Sequence, residues 1–543
     1  MKRIIHSVIN LTGFQNLSGL LVFPVLLFFC ASVSAQNYFS TDVQNPFVSE
    51  NVFIRKTPDT TPPPSFESVK NLLPQPEWAA RPDVVSAYWK AWSIAFGNLY
   101  TPTPKNGFVT PYVDVAFNRH LFMWDNSFMA MFGRYGRRAF LFQGTLDNFY
   151  AKQHKDGFIC REISEIDGNE AFQKYDVSST GPDLLPWAEW EYFCSVNDTA
   201  RLRLVFPPLV AFYQWFRTNR SWQDGSYFSS GWGCGMDNQP RLENGYARQF
   251  SHGFMSWIDV SLQQVFAGKI LTKMAEVLNR ENDVQDIALE INNLEKLVNA
   301  KMWDQLSAFY YDVLRNGKFN YVKSIAAYWA LLANVVPQEN EGRFLAHLEN
   351  EKEFARPHRP TTLSADHADY QPDGGYWRGG VWSPTSYMLL RGLTQHNRDS
   401  LAYAIAENHF FNVIKVYNET GTFWENYAPE TGFFPTNSRR DFVGWTGITP
   451  ISILLEYIFG IRFAQPECDF KSRPDWLIWD IRMTDAFGVK NYPFGVDGTI
   501  DLQCAKRKSA VDKPKVTIKS NKNLTVKLVW SGGEEIVEVK ATK

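Results

Sequence analysis

Two carboxylates in this chain sit in stretches that hold a side chain in place. Asp237 lies in Gly231-Trp232-Gly233-Cys234-Gly235-Met236-Asp237-Asn238-Gln239-Pro240-Arg241, a run with neither helical nor strand periodicity. Glycine admits backbone angles and close approaches that other residues resist, and proline fixes the exit of the loop. Glu425 has a similar setting far downstream, in Phe423-Trp424-Glu425-Asn426-Tyr427-Ala428-Pro429-Glu430-Thr431-Gly432. Two carboxylates on aromatic, turn-rich loops point to glycoside hydrolysis, where one acts as acid and the other as base or nucleophile. Taken singly, each fits a loop carboxylate or a helix cap equally well. Cys234, close to Asp237, has no histidine partner in sequence and reads as a small buried residue.

Whether the two acids meet depends on the elements between them. Apolar spacing predicts twelve helices, near 82–99, 123–134, 137–154, 181–195, 198–218, 256–280, 283–304, 323–334, 339–350, 379–395, 398–418 and 445–461. Val85, Trp89, Trp92 and Phe96 trace one such face. The links alternate. Those after even-numbered helices take a few residues; those after odd-numbered ones run from about seventeen to nearly forty. Short links make antiparallel neighbours, so the alternation puts every long loop at one end. Twelve helices in six hairpins are the content of an (α/α)6 toroid, an inner ring inside an outer ring. Asp237 follows helix 5 and Glu425 follows helix 11, which sets them across the centre from one another.

The other long loops repeat this chemistry. They carry Trp124-Asp125, then Asp156-Gly157-Phe158 with Arg161-Glu162, then Tyr376-Trp377-Arg378 with Trp382, and Trp445. Sugar-binding clefts stack pyranose rings on aromatic faces, so Trp124, Asp125, Phe158, Trp232, Arg241, Tyr376, Trp377, Arg378, Trp382 and Trp445 form the expected substrate-binding set. Any one Trp or Arg is better explained by core packing or a salt bridge; the whole set on one rim is not.

Composition sets the outer bounds. The chain has 543 residues, a formal net charge of −2 and 15% aromatic residues with 19 Trp. No basic stripe marks a nucleic-acid partner, and no later stretch is apolar and long enough to span a membrane. Lys2 and Arg3, the apolar run Leu20 to Ala31 and Val33-Ser34-Ala35 read as a signal peptide over 1–35, hence an exported, periplasmic or secreted protein. Phe29 before Cys30 disfavours a lipid anchor. Cys160, Cys194, Cys234, Cys468 and Cys504 are scattered and form neither a disulfide framework nor a zinc motif. Residues 36–75 are proline-rich and read as an extended arm. Residues 76–463 make the helical catalytic domain. Alternating runs such as Leu524–Trp530 make 464–543 a small C-terminal antiparallel β domain. No cofactor or metal is called for, and no motif speaks to the oligomeric state.

The ordered motifs Trp124-Asp125, Asp156-Gly157-Phe158-Ile159, Gly235 to Arg241, Tyr376-Trp377-Arg378-Gly379, Glu425-Asn426-Tyr427 and Gly444-Trp445-Thr446 resemble the six-hairpin α-glycosidases over roughly residues 80–460. The resemblance is to glycoside hydrolase family 63, the processing α-glucosidase and mannosylglycerate hydrolase type, with the family 37 trehalases as next relatives. It implies an inverting glycosidase of α-linked sugars, α-glucosidase-like, acting on an oligosaccharide or glycoside. It assigns Asp237 as general acid, Glu425 as general base, and the Trp124-Asp125 pair and Tyr376 loop to the non-reducing sugar. Relatives often carry a second acid where this chain has Asn238. Three rivals share some of these features. A polysaccharide lyase would need Tyr, His or Asn at a basic site, and none of the nine His clusters on the loops. A glycoside phosphorylase would replace the base with a phosphate pocket. A non-catalytic carbohydrate-binding protein would keep the aromatics without needing both acids.

Overall fold

Each of the twelve expected segments holds helix in the computed structural model, which describes residues 44–115, 118–242, 245–435, 437–463 and 476–542. They are α1 Pro82–Gly97, α2 Met123–Gly133, α3 Asp147–Ala151, α4 Leu185–Val196, α5 Thr199–Asn219, α6 Ile258–Leu278, α7 Gln285–Lys301, α8 Trp329–Leu332, α9 Gln338–Glu349, α10 Ser383–Gln395, α11 Asp399–Thr420 and α12 Thr449–Ile458. The third and eighth are shorter than their periodicity predicts, because 3-10 turns at Phe142–Leu146 and Ile325–Tyr328 take up their first halves. The last is wound as a π-helix. The expected signal peptide, Cys30 and Cys468 lie outside the described residues. Cys160, Cys194, Cys234 and Cys504 are free and buried.

The even-numbered helices form a closed inner ring, each touching the next from α2 through α12 and back to α2. Every residue of α2, α4 and α12 is buried, as befits a helix enclosed on all sides. Outer helices keep a wet face: α7 buries only Ile287, Ile291, Leu294 and Val298, spaced along one stripe. The turns from inner to outer helix share a device. Asn197, Asn279, Asn334 and Asn397, which follow α4, α6, α8 and α10, all have positive φ. Asparagine tolerates this left-handed conformation, which reverses the chain in a few residues. The long loops therefore all open at the N-terminal ends of the inner helices.

The other end is closed by charge. Arg134, just past α2, bonds Glu191 of α4 and Glu456 of α12 at 2.8 Å each. Arg391 of α10 bonds the same two acids at 2.7 and 3.2 Å. Burial alone would raise the Glu191 carboxyl, but Arg391 and Arg134 more than offset it and hold it below its ordinary range. Tyr387 and Tyr135 donate to Glu456. Two cations and two anions thus tie four inner helices together with balanced charge.

Over this closed end lie two small sheets. Their strands are β1 Gln75–Glu77, β2 Ile461–Phe463, β3 Trp476–Asp480, β4 Phe487–Phe494, β5 Gly498–Cys504, β6 Val516–Ser520, β7 Leu524–Trp530 and β8 Gly533–Val539. One sheet runs β1-β4-β5-β6, all antiparallel; the other runs β8-β7-β3-β2, antiparallel except for β3 with β7. The β region thus draws strands from residues 75–77 and 461–463 as well as from the expected span. Tyr492 packs on Tyr135 with ring centroids 5.7 Å apart, and the Gly495 N–H donates to the Ser195 carbonyl. The arm is not simply extended. Pro46–Glu50 and Val52–Arg55 are helical turns, because Asn45 and Asn51 cap them by accepting from the peptide N–H two residues on.

Candidate active site

Asp237 and Glu425 line one cavity of about 460 Å³ at the open end of the ring. The Asp237 loop starts with a helical turn, Gly231–Cys234, capped by Ser230, whose hydroxyl accepts from the Gly233 N–H. Glycine is required at two points. A Cβ on Gly231 would lie 2.5 Å from the Arg248 carbonyl oxygen, and Gly235 has φ +78° with the Trp124 ring 3.3 Å from where its Cβ would be. Asn238 then clamps this loop to the next. Its amide donates to the Gly375 carbonyl and its oxygen accepts from the Trp377 N–H, both at 2.9 Å. An amide serves both directions of that clamp; a carboxylate would serve only one.

Glu425 is held by donors. The Tyr376 hydroxyl donates to Oε1 at 3.1 Å, the Arg439 peptide N–H to Oε2 at 3.3 Å, and the Arg439 guanidinium stands 3.8 Å away. The Trp445 indole donates to the Glu425 carbonyl. Tyr376 reaches the carboxylate from a backbone at φ +65°, an unfavourable value for an aromatic residue, and strain of this kind is typical of active sites. Burial lifts Glu425 to about 7 against the pull of Arg439 and Tyr376, and the charge of Asp237 adds to the rise. Burial likewise lifts Asp237 to about 6, opposed by Arg161 and its own peptide N–H and aided by Glu162. Both acids are thus raised above the ordinary carboxylate range. Asp125, in the first turn of α2 and 3% exposed, is pushed well above its ordinary range by burial, then by Glu425. Burial thus favours its neutral form, which can donate as well as accept, and its Oδ1 and the Trp124 indole N–H have no protein partner among the described residues.

Of the expected sugar-binding residues, Trp124, Asp125, Trp232, Tyr376, Trp377 and Trp445 line the cavity. Four do not. Arg241, 2% exposed, is locked between Asp259 and Asp312 at 2.7 Å each and lies over Trp257, so it braces the loop from beneath. Phe158 is buried in a separate cluster with Cys160 and Trp215. Trp382 stands behind Trp377, stacked at 3.8 Å. The Arg378 guanidinium donates to the Asn238 carbonyl and adds to the clamp. Lining residues outside the expected set include Arg161, Glu162, Phe172 and Arg439. A two-stranded ribbon sets the first two: Phe122 pairs with Glu162, and the Met123 N–H donates to the Arg161 carbonyl. The signal for Arg161 and Glu162 was their place on a long loop; Arg439 had none.

The family model of the mannosylglycerate hydrolase MGH1-like glycoside hydrolase domain matches residues 118–446. A mannosyl-oligosaccharide glucosidase of Arabidopsis thaliana is 22% identical over 450 residues, which is 68% of this chain and 50% of that protein. This chain therefore spans half the length of that curated relative. The GH63 mannosylglycerate hydrolase of Thermus thermophilus, solved with glucose, superposes with a TM-score of 0.55 at 18% identity over 67% of this chain and 99% of that one. The neutral trehalase Nth1 of Saccharomyces cerevisiae does so at 0.50 and 12% identity, over 68% and 80%. Both solved structures share the toroid. With the family model spanning more than half of its length, this chain belongs to the MGH1-like glycoside hydrolases of family 63.

Proposed function

We propose that this protein is an exported, inverting glycosidase of α-linked sugars, α-glucosides or a related α-glycoside, with Asp237 as general acid and Glu425 as general base. The observation that carries it is the convergence of these two acids, from loops 188 positions apart (425 − 237), on one aromatic-walled cavity. In this reading Asp237 protonates the glycosidic oxygen while Glu425 takes a proton from a water that attacks the anomeric carbon from the opposite face. An inverting pair stands roughly 6.5–9.5 Å apart to admit that water. The donors on Glu425 pull against its burial and aim the carboxylate. Burial still leaves Glu425 at about 7 and Asp237 at about 6, so in the singly protonated pair the proton rests mainly on Glu425 and the productive arrangement, with the proton on Asp237, is the minor form. Asp125, whose neutral form burial favours, is placed to bind a sugar hydroxyl. The names of the Arabidopsis and Thermus relatives support a glucoside or mannoside, and the signal-peptide pattern of residues 1–35 supports export. Among the described residues no helix is long and apolar enough to cross a membrane.

The test is a panel of α-linked glucosides, mannosides, galactosides and rhamnosides with the released sugar followed by NMR. One group is hydrolysed, and its first-formed sugar has the opposite anomeric configuration to the substrate. A retained anomer would make Glu425 a nucleophile, and turnover that requires inorganic phosphate would make the protein a phosphorylase.

The proton affinities give a second expectation. Activity needs one proton on the pair. Below about 6 both carboxyls are protonated and the base is lost; above about 7 both are ionised and the acid is lost. A plot of kcat/KM against pH is therefore a narrow bell with limbs near those values. A plateau from pH 4 to 9 would remove the pair from the rate-determining chemistry.

A further inference from the structure

We propose that the cavity continues outward over an aromatic strip, Phe172–Trp232–Phe250, that carries the saccharide chain of the leaving group. The inference rests on the hydrolytic reading above and gives its substrate class: oligosaccharides of more than two residues, not glycosides with a small polar aglycone. Phe172 and Trp232 belong to the cavity wall. Their ring centroids are 5.9 Å apart, and Trp232 meets Phe250 at 4.5 Å. Phe250 lies beyond the cavity and is 50% exposed. The three rings thus lead from the reacting centre into solvent.

The strip is anchored. The Gly231 N–H donates to the Arg248 carbonyl, and the Trp232 N–H and the Ser178 hydroxyl both donate to the Gln249 carbonyl. The backbone before Phe250 is therefore fixed to the loop that carries Asp237. A large apolar side chain held half in water on a fixed backbone is a pre-organised contact surface, at which little ordering remains to be done on binding. The side on which it lies identifies its occupant. Trp232 is five positions before Asp237, the acid that protonates the departing oxygen, whereas Glu425, Tyr376 and Trp445 form the other part of the wall. The Arg161 guanidinium, which lies over Phe172 and whose charge acts on Asp237, ties the strip to the acid's side of the cavity, so a chain leaving past Asp237 is placed to run over Trp232. The chemistry fits a sugar: Trp232 and the half-exposed Phe250 offer apolar surface to C–H groups, and the Arg161 guanidinium, which covers one face of Phe172 at 4.6 Å, offers donors to hydroxyls.

The experiment compares methyl α-glycosides, phenyl α-glycosides and α-linked gluco- and manno-oligosaccharides of two to four residues. Both kcat/KM and Kd are measured on the full chain, its Phe250→Ala variant and its Phe250→Trp variant. The tri- to methyl-glycoside ratio of kcat/KM is expected to fall by about five- to tenfold in Phe250→Ala, the size of losing part of one buried aromatic face, and to return in Phe250→Trp. Hydrolysis with no chain-length preference, or a ratio unchanged in Phe250→Ala, overturns the strip and leaves the hydrolytic reading standing. A Phe250-dependent Kd gain as large for the phenyl glycoside as for the trisaccharide overturns the saccharide assignment. Chain-length-dependent binding that Phe250→Ala weakens, without hydrolysis of any member, sinks the hydrolytic reading and keeps the strip. Neither binding nor hydrolysis sinks both.

Discussion

Asp237→Asn lowers turnover of sugar-linked substrates by about 10²–10⁴-fold, the usual worth of a positioned general acid. The loss is much smaller for substrates with activated leaving groups, because a good leaving group departs with little protonation. Glu425→Gln loses turnover of both kinds by a similar factor, since water must be activated whatever departs. The contrast between the two substrate classes is what separates the roles; a general loss of structure would reduce both classes in both variants. Because Tyr376, Trp445 and Arg439 all contact Glu425, its variant needs a check by thermal unfolding and circular dichroism. Azide, or a glycosyl fluoride of the opposite anomer with an acceptor, is expected to restore part of the activity of the Glu425 variant. Normal turnover by both variants would make the pair structural loop acids.

Glu456→Gln, far from the cavity, is expected to cost on the order of 3–5 kcal/mol of stability, the typical price of removing one partner from a buried ion pair. The substitution keeps the shape of the side chain but leaves Arg134 and Arg391 sharing only Glu191. Two guanidiniums in a closed apolar ring then carry one excess positive charge, with little water to screen it. Urea unfolding checks this through a lower midpoint at unchanged slope. A loss below about 1 kcal/mol, the surface-pair range, would show that the ring end is wet enough to solvate the arginines. Replacing all four charged residues with apolar ones of similar size leaves no charge alone, and its cost is then the loss of acceptors for Tyr135, Tyr387 and Trp187.

The pattern of short and long links was enough to read the ring and to place Asp237 and Glu425 together. Helical spacing reports which face is buried, and link length reports which ends are neighbours; both are local properties of the chain. What lay beyond local reading was depth. Arg241 follows Asp237 by four positions and looks like its neighbour in the site, yet its partners Asp259 and Asp312 draw it into the core. Trp377 and Trp382 are equally aromatic on one loop, and only their stacking decides which faces the cavity. Arg439 is the opposite case. It sits in an unremarked Arg439-Arg440 pair, and its value comes from a chain reversal that returns its peptide N–H to Glu425. The raised proton affinity of Glu425 is likewise beyond local reading, since burial is a property of the assembled site.

The strand β1 joins the beginning of the helical body to the end of the chain. Gln75 pairs with Lys490, so β1 forms one edge of its sheet and covers β4. During synthesis at ~5–20 residues per second, its partner follows roughly 400 positions later, after ~20–80 s. For that time β1 is an unpaired edge, and a chain ending before β4 would keep it so. The ring can assemble from neighbours in order, but the clasp over its closed end waits for β4, and the pairings of β5 to β8 follow it. Fragments cut short of β4, or lacking β1, each leave a sheet edge open to another copy, which makes aggregation their expected fate.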